Sequence, residues 1–206
     1  MKRRGLPVVA ATGNPGKLKE IQRLLAGLGL ALSPQSDFGI GSPEETGASF
    51  LENALIKARH ASAVAGYPAI ADDSGLAVAF LQGRPGIHSA RYAGPRASDR
   101  QNIRKLLREL EGLSDDERSA SFHCVAVFVA SPDDAAPLVA EGVWPGRILE
   151  SPRGRAGFGY DPVFYDPASA KAAAEMSEAE KNEASHRGRA FRRLAELLAA
   201  RGVVPQ

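Results

Sequence analysis

The sequence has one cysteine, no apolar run of 18 residues and no tract of basic residues. Because Cys124 has no partner in the chain, an intrachain disulfide is excluded, which favours a reducing compartment. The lack of long apolar runs predicts that no helix spans a membrane. A balance of 26 basic and 24 acidic residues gives no sign of nucleic-acid binding. These absences indicate a cytoplasmic protein with neither a membrane nor a nucleic acid as its partner.

What the chain does contain is typical of a globular protein, with 44% hydrophobic and 24% charged residues among 206. This length suits one domain of ordinary to large size, or one with two lobes, and allows a proper core. The basic start, residues 1–4, is followed by a short apolar run that contains Pro7. We therefore do not expect a targeting segment.

The most unusual stretch is a short apolar run, residues 68–71, that ends in Asp72, Asp73, Ser74 and Gly75. Such a run, bounded by turn residues, is typical of a buried strand. Two adjacent carboxylates repel each other unless a cation lies nearby, and Mg²⁺ binds carboxylate oxygens together with substrate phosphates. A polar turn is the alternative, because Asp, Ser and Gly are common in turns. A second strand is predicted at 76–81, so the acids are expected in or near a tight connection.

A second candidate site follows the first predicted strand, residues 6–11. There the chain turns into a helix, whose apolar residues recur at helical spacing from Leu18 to Leu28. Helix N-terminal amides, hydroxyl and amide side chains and a lysine are suited to bind phosphate. The turn offers all of these in Thr12, Gly13, Asn14, Pro15, Gly16 and Lys17. The pattern is neither a P-loop nor a dinucleotide fingerprint, and an ordinary strand-to-helix connector is the alternative.

The remaining pattern mixes strand–helix units with a hairpin. Helices are predicted over 49–65 and 98–111, and the polar residues inside the first of them are expected on a solvated face: Glu52, Asn53 and Lys57. The segment 82–96 is predicted to be a long loop and 119–130 a strand. Strands at 138–144 and 146–150, joined at Pro145 and Gly146, predict a hairpin and an antiparallel part of the sheet.

Two stretches in the last quarter of the chain carry groups suited to a base. Phe158 lies between two glycines, and a ring with so little local packing can stack on a planar ligand; a turn with the ring in the core is the alternative. Ser177 and Glu180 match the capping box that opens a helix. On that helix, or at a break within it, lie three donors suited to phosphates or purine edges, although an ordinary polar face also explains them: Lys181, His186 and Arg187.

With these motifs in this order, the chain resembles the inosine/xanthosine triphosphate pyrophosphatases. The resemblance rests on residues 12–17, 71–75, 157–162 and 181–187, and it extends over nearly the whole chain. Each motif alone is modest in specificity, but four in the right order are specific. The resemblance implies an α/β fold with two lobes around a long, bent mixed sheet flanked by helices. It also implies an active-site cleft between the lobes, no independent second domain in residues 1–206, and a homodimer.

The activity that the resemblance implies is Mg²⁺-dependent hydrolysis of the purine nucleoside triphosphates ITP, dITP and XTP. The products would be the monophosphate and pyrophosphate, and the reaction would clear deaminated purines from the nucleotide pool. Asp73 would bind the metal and accept a proton from the attacking water, with Glu45 and Asp72 as further ligands. The turn from Thr12 to Lys17, together with Lys57, would bind the phosphates, and Ser74 would help to position the substrate.

For the base, the resemblance implies a platform and a set of donors. Phe158, Gly159, Tyr160 and Asp161 would stack on and border the base, while its edge would face Lys181, His186 and Arg187. These donors would pair with the O6 of a 6-oxo purine, but adenine has an amino group in that position and would leave them unpaired. Such mismatches are worth ~10⁴-fold or more in discrimination.

Three alternatives stay open at this point. A sibling nucleotide pyrophosphatase would prefer another modified base, and a substrate panel would distinguish it. A non-catalytic nucleotide sensor would lack an acid at position 73, where this chain has one. A phosphotransferase with a covalent aspartate usually has Asp-x-Asp at a strand end, whereas Asp72 and Asp73 are adjacent.

Overall fold

The computed structural model describes residues 6–204, so the basic start of the chain lies outside the described residues. Between those limits the chain forms, in order, β1 (Leu6–Ala10), α1 (Pro15–Leu24), β2 (Leu30–Pro34), α2 (Phe50–Ala65), β3 (Ala69–Val78), α3 (Asp99–Glu109), β4 (Ser119–Val129), β5 (Leu138–Ile148), β6 (Phe164–Asp166), β7 (Lys171–Ala172), α4 (Glu178–Ala184) and α5 (His186–Ala200). Short 3-10 helices lie at Gln35–Phe38, Gly86–Arg91, Asp115–Arg118 and Ala173–Glu175. No helix among the described residues is long and apolar enough to cross a membrane.

The strands form one open sheet in the order β2-β1-β3-β4-β5-β6-β7. β1 pairs in parallel with β2 and β3, whereas β6 pairs antiparallel with β5 and β7. The sheet is therefore mixed and flanked by helices, which confirms the predicted α/β class. Its three longest strands are β3, β4 and β5, with 10 or 11 residues each.

The chain divides into two compact units. The first contains the chain up to Asp73, Cys124–Gly142 and the chain from Arg187 onward, and the second contains Ser74–His123 and Val143–His186. In the first unit, the part of β4 from Cys124 to Val129 has both faces buried. One face packs with residues of α1 and α5, and the other packs with the alanines of α2. The second unit has its own core, which includes Phe122, Trp144 and Phe164.

Local signals predicted the helix starts correctly. Ser49 and Ser98 cap α2 and α3, and the capping box of Ser177 and Glu180 opens α4. Gly66, in a left-handed conformation, ends α2. The break expected among the C-terminal donors lies at Ser185, between α4 and α5.

Two expected connections are wrong, because β3 and β5 each continue through them. Asp72 and Asp73 lie inside β3, since cationic side chains accompany both carboxylates there. In β5, Pro145 is exposed, and Gly146 provides the close approach to β6: a Cβ at Gly146 would lie 2.6 Å from the Phe164 ring. The predicted hairpin at Pro145 and Gly146 is therefore absent. The strand β2, at the edge of the sheet, was not predicted from the sequence.

Candidate active site

The two adjacent carboxylates of β3 face opposite sides of the strand, because successive side chains of a strand alternate. Asp72 and Asp73 are both buried, with 1% and 5% of their surface exposed. Each has its own set of partners within the first unit. The sequence suggested that a metal relieves the repulsion between the two carboxylates. In the structure, cationic side chains on both sides of the strand relieve it instead.

Asp73 lies in a cluster with Lys57 and Glu45. The ammonium of Lys57 donates to Oδ1 of Asp73 at 2.6 Å and to Oε1 of Glu45 at 2.9 Å. On the other oxygen of Asp73, the side-chain amide of Asn53 donates to Oδ2 at 3.5 Å. The side chain of Glu45 is 27% exposed, so solvent reaches the cluster from that side.

Helix α2 positions this cluster. Asn53 and Lys57 lie one turn apart on the same face, and both are buried. Oδ1 of Asn53 accepts the backbone N–H of Gly47 at 2.8 Å, which ties the segment after Glu45 to the helix. A Cβ at position 47 would lie 2.7 Å from that oxygen, so only glycine fits there.

Burial is the largest influence on the pKa of both Lys57 and Asp73. It lowers the pKa of Lys57, but the carboxylates of Asp73, Asp72 and Glu45 outweigh it, and the pKa is raised above its ordinary value of 10.5. For Asp73, burial raises the pKa above 3.8, and the nearby Lys57 and Lys17 offset this only in part. A carboxylate with a raised pKa is better matched to accept a proton near neutral pH.

A divalent metal fits the pair of Asp73 and Glu45 as a site with few protein ligands. In residues 6–204, no group of three or more His, Cys, Asp or Glu side chains could hold a metal ion. The two carboxylates nevertheless hold one cationic atom between them, the Nζ of Lys57. Mg²⁺ is commonly bound by one or two carboxylates, with waters and substrate phosphates as the other ligands. The donor set is of that kind.

Asp72, on the other side of β3, lies in a buried network of charges. Its Oδ2 is 3.1 Å from Nζ of Lys17, 3.3 Å from both Nε and Nη2 of Arg187, and 3.9 Å from Sγ of Cys124. Arg187 also donates to Glu20 at 2.6 Å. Although burial lowers the pKa of Arg187, the charges of Asp72 and Glu20 raise it overall. This surrounding favours charge pairing as the role of Asp72.

The turn before α1 is accessible and preorganised by Asn14. Its Oδ1 accepts the backbone N–H groups of Gly16 and Lys17 at 2.8 and 3.1 Å, and Thr12 Oγ1 accepts the N–H of Asn14 at 3.2 Å. Pro15 occupies the first helical turn, where its missing N–H costs little. Two of the amides expected to bind phosphate therefore donate to Asn14. The middle of the turn, Gly13, Asn14 and Pro15, is exposed, and its other residues are half-buried.

In the second unit, Asp161 organises the segment that carries Phe158. Its Oδ2 accepts the backbone N–H of Phe158 at 2.8 Å and the ammonium of Lys181 at 2.6 Å. The same ammonium lies 4.7 Å from the centroid of the Phe158 ring. Gly157 has a φ of +79°, and a Cβ there would collide with the Asp161 carboxylate. Phe158, Asp161 and Lys181 thus form one cluster.

The other residues expected at the base divide between the surface and the core. Gly159 is half-buried, and its N–H donates to Asp99 at 2.7 Å. Tyr160 is buried and donates its hydroxyl to the carbonyl of Ser89 at 2.9 Å. His186 is buried and stacked on Phe122, with the ring centroids 4.7 Å apart. Ser74 is half-buried on β3, next to Asp73.

A comparison with known families decides where this chain belongs. A model of the Ham1 family matches residues 8–197. The chain belongs to the Ham1 family. Among curated relatives, it is 54% identical over 191 residues to the dITP/XTP pyrophosphatase of Yersinia pestis, with 93% of this chain and 97% of that protein covered. The protein of the same name in Escherichia coli (strain K12) is 52% identical over the same shares.

Solved structures of Ham1 proteins share the fold. A HAM1 protein from Coxiella burnetii is 49% identical and superposes with a TM-score of 0.87, over 95% of this chain and 99% of that one. A nucleoside-triphosphatase, or dITP/XTP pyrophosphatase, from Mycobacterium abscessus is 40% identical with a TM-score of 0.73, over 94% and 100% of the two chains.

Two polar residues of α2 lie deeper than the sequence pattern predicts. The resemblance assigns Lys57 to the phosphates, but the pattern places Asn53 and Lys57 on a solvated face of α2. Both are buried, whereas Glu52 is exposed. The signal was available: each directly precedes an alanine of the buried stripe, at positions four residues apart. Asp99 and Glu20 carried no local signal, because their partners lie far away in the sequence.

Proposed function

We propose that this chain hydrolyses the non-standard purine nucleoside triphosphates dITP, XTP and ITP to the monophosphate and pyrophosphate, with Mg²⁺. The observation that carries the proposal is the cluster in which Lys57 lies 2.6 Å from Asp73 and 2.9 Å from Glu45. It combines a buried carboxylate base, Asp73, with a pair of carboxylates around one cation. The relatives named dITP/XTP pyrophosphatase, which match nearly the full chain, support the choice of substrates.

In this proposal Asp73 and Glu45 would hold the metal. When bound, Mg²⁺ would supply positive charge to the phosphate oxygens and lower the pKa of a coordinated water. Asp72 would not be a ligand, because its carboxylate faces Lys17 and Arg187 on the other side of β3. Its role would be to position Lys17, whose ammonium is available to the phosphates from a side chain that is 16% exposed.

The bond that breaks would be the anhydride between the α and β phosphates. A water oxygen bonds to the α phosphorus, Asp73 accepts a proton from that water, and pyrophosphate leaves with the bridging oxygen. The raised pKa of Asp73 suits this task. Lys57 and Lys17, with the Thr12 hydroxyl, would stabilise the charge that develops on the phosphate oxygens.

For the base, Phe158 would provide the stacking surface and Lys181 a donor for the O6 of a 6-oxo purine. Asp161 holds both, through the backbone N–H of Phe158 and the ammonium of Lys181. His186 would support this region from its aromatic stack on Phe122, whereas Arg187 would serve the charge network of Asp72 and Glu20. Adenine has an amino group at the position of O6, and the Lys181 ammonium cannot donate to it, so adenine is disfavoured.

We also propose that the protein acts as a homodimer in the cytoplasm and clears deaminated purines from the nucleotide pool. The resemblance to the pyrophosphatase family supports these points. Light scattering on the purified protein would give the mass of one chain, 21.8 kDa, or twice that mass. Twice that mass is expected.

The products that the protein forms from dITP in the presence of Mg²⁺ test which phosphate bond is broken. The proposal expects dIMP and pyrophosphate in equal amounts, with water oxygen incorporated into dIMP. Release of orthophosphate and dIDP would mean that the β–γ bond breaks instead, and would contradict the proposal. Asp73→Asn is the matched control, since it keeps the size of the side chain but cannot accept the proton.

A further inference from the structure

The position of the Lys57 ammonium is unusual for a phosphate-binding lysine. It donates to two carboxylates, at 2.6 Å to Asp73 and 2.9 Å to Glu45, and its side chain is 10% exposed. A buried lysine is costly unless it is paired, and a pair of close carboxylates is costly unless a cation separates them. Each half of the cluster therefore compensates the other.

The backbone that carries each carboxylate is fixed by contacts that do not involve Lys57. Asp73 lies in the middle of β3. The segment after Glu45 is tied to α2 through the hydrogen bond between the Gly47 N–H and Asn53. Lys57, in contrast, reaches the cluster through a long, flexible side chain. Among the three side chains, that of Lys57 has the most rotatable bonds, so it is the one best able to move away from the other two.

We propose that Lys57 is a stand-in cation: without metal its ammonium bridges Glu45 and Asp73, and metal binding displaces it from them. The proposal rests on the assignment, made above, of Glu45 and Asp73 as metal ligands. Displacement would leave the ammonium next to the site, where it can bind substrate phosphate. Binding of the metal and bridging by Lys57 are then mutually exclusive.

A thermodynamic cycle tests this competition. In metal-free buffer, Lys57→Gln is expected to melt at a lower temperature than the wild type, because the carboxylates lose their cation. Mg²⁺ should restore much of this loss. Calorimetric titration should show Mg²⁺ binding tighter than in the wild type by about tenfold or more, since the charged hydrogen bonds of Lys57 to Asp73 and Glu45 no longer have to be broken. An equal loss with and without Mg²⁺, at unchanged affinity, would overturn the proposal.

Lys17→Gln is the matched control for the loss of a nearby positive charge. Lys17 lies on the other side of β3, 3.1 Å from Asp72, and still influences Asp73 electrostatically. The proposal expects a distinctly smaller gain in Mg²⁺ affinity from Lys17→Gln than from Lys57→Gln. Equal gains would mean that only the distant charge matters, and would contradict bridging by Lys57.

A measurement on the wild type covers the case in which Lys57→Gln fails to fold. Amine acetylation, followed by mass spectrometry, reports the accessibility of each lysine. Labelling of Lys57 should rise several-fold on addition of Mg²⁺, whereas Lys181, buried against Asp161, should not change. Labelling of Lys57 that stays constant or falls would overturn the proposal.

Release of pyrophosphate from dITP by the same wild-type preparation separates the two levels of inference. If dITP is hydrolysed but Mg²⁺ does not compete with Lys57, the proposed function stands and the role of Lys57 is wrong. If Mg²⁺ competes with Lys57 but dITP is not hydrolysed, the role of Lys57 is supported and the proposed function is refuted.

Discussion

Replacing Asp72 by asparagine is expected to reduce stability, whereas the same change at Asp73 is expected to reduce turnover. The two residues are neighbours in the sequence, but they have different partners. Asp72 is paired with Arg187 and Lys17 in a buried network. Asp73 belongs to the cluster with Lys57 and Glu45 and is the proposed proton acceptor.

The magnitude follows from the burial of the Asp72 network. The side chains of Asp72 and Arg187 are 0% and 3% exposed. Removal of one partner from such a buried pair costs about 3–5 kcal/mol, because it leaves a charge without compensation. The asparagine oxygen can still accept one hydrogen bond, so we expect about 3 kcal/mol. At a denaturant dependence of about 3 kcal/mol per molar, the urea midpoint would fall by about 1 M.

Asp73→Asn should affect stability far less. Lys57 would keep the carboxylate of Glu45 as its partner, at 2.9 Å, and the burial that raises the pKa of Asp73 already disfavours its charge, so the cost is smaller. Loss of a positioned general base typically costs ~10²–10⁴-fold in rate. We therefore expect turnover to fall by that factor, with a midpoint closer to the wild type than that of Asp72→Asn.

Both variants are measured by urea unfolding in the presence of a chelator and by pyrophosphate release with saturating dITP and Mg²⁺. Activity of Asp72→Asn should be assayed well below its unfolding transition. The reasoning would be refuted if Asp72→Asn were as stable as the wild type but inactive. That result would make Asp72 a member of the reacting site rather than of the charge network.

Three further predictions concern other parts of the molecule. Phe158→Ala should raise the Michaelis constant for dITP, since stacking of a base on an aromatic ring is worth ~1–3 kcal/mol; an unchanged constant would assign the ring to the core. Gly157→Ala should also raise the Michaelis constant for dITP, because a Cβ at this position would collide with Asp161. An equal rise in the Michaelis constant for inorganic triphosphate, which has no base, would argue against a role of this segment at the base. In the turn before β5, backbone N–H groups lower the pKa of Asp134, so its stabilisation exists above about pH 4 and is lost as the pH falls through the lowered value. Asp134→Asn should therefore be less stable than the wild type at pH 7, with a difference in urea midpoint that shrinks as the pH falls below about 4; a difference that stays constant with pH would exclude the linkage.

Local chemistry allowed the sequence to predict much of the fold. Ser49, Ser98 and Ser177 mark helix starts through hydrogen bonds that span only a few residues. The strand-to-helix turn at Asn14 is equally local. The motifs and their order also predicted the family, which the comparison confirms over residues 8–197.

What the sequence could not predict depends on contacts between distant residues. The strand β3 continues through Asp72 because Arg187, more than a hundred positions away, pairs with that carboxylate. Gly146 suggested a turn, but it is required by the approach of β6. The polarity of Lys57 and Asn53 predicts a solvated position, yet both are buried because Asp73 and Gly47 provide hydrogen-bond partners for them. In each case a polar or small residue is explained by a neighbour that its local sequence does not contain.

In the proposed function, this chain is a Mg²⁺-dependent pyrophosphatase selective for 6-oxo purines that do not belong in nucleic acids. Pyrophosphate release from dITP, XTP, ITP, GTP and ATP, with Mg²⁺ and with a chelator, tests this function directly. We expect rapid release from the first three, little from GTP and ATP, and none with the chelator. Equal release from all five, or release that survives the chelator, would contradict it.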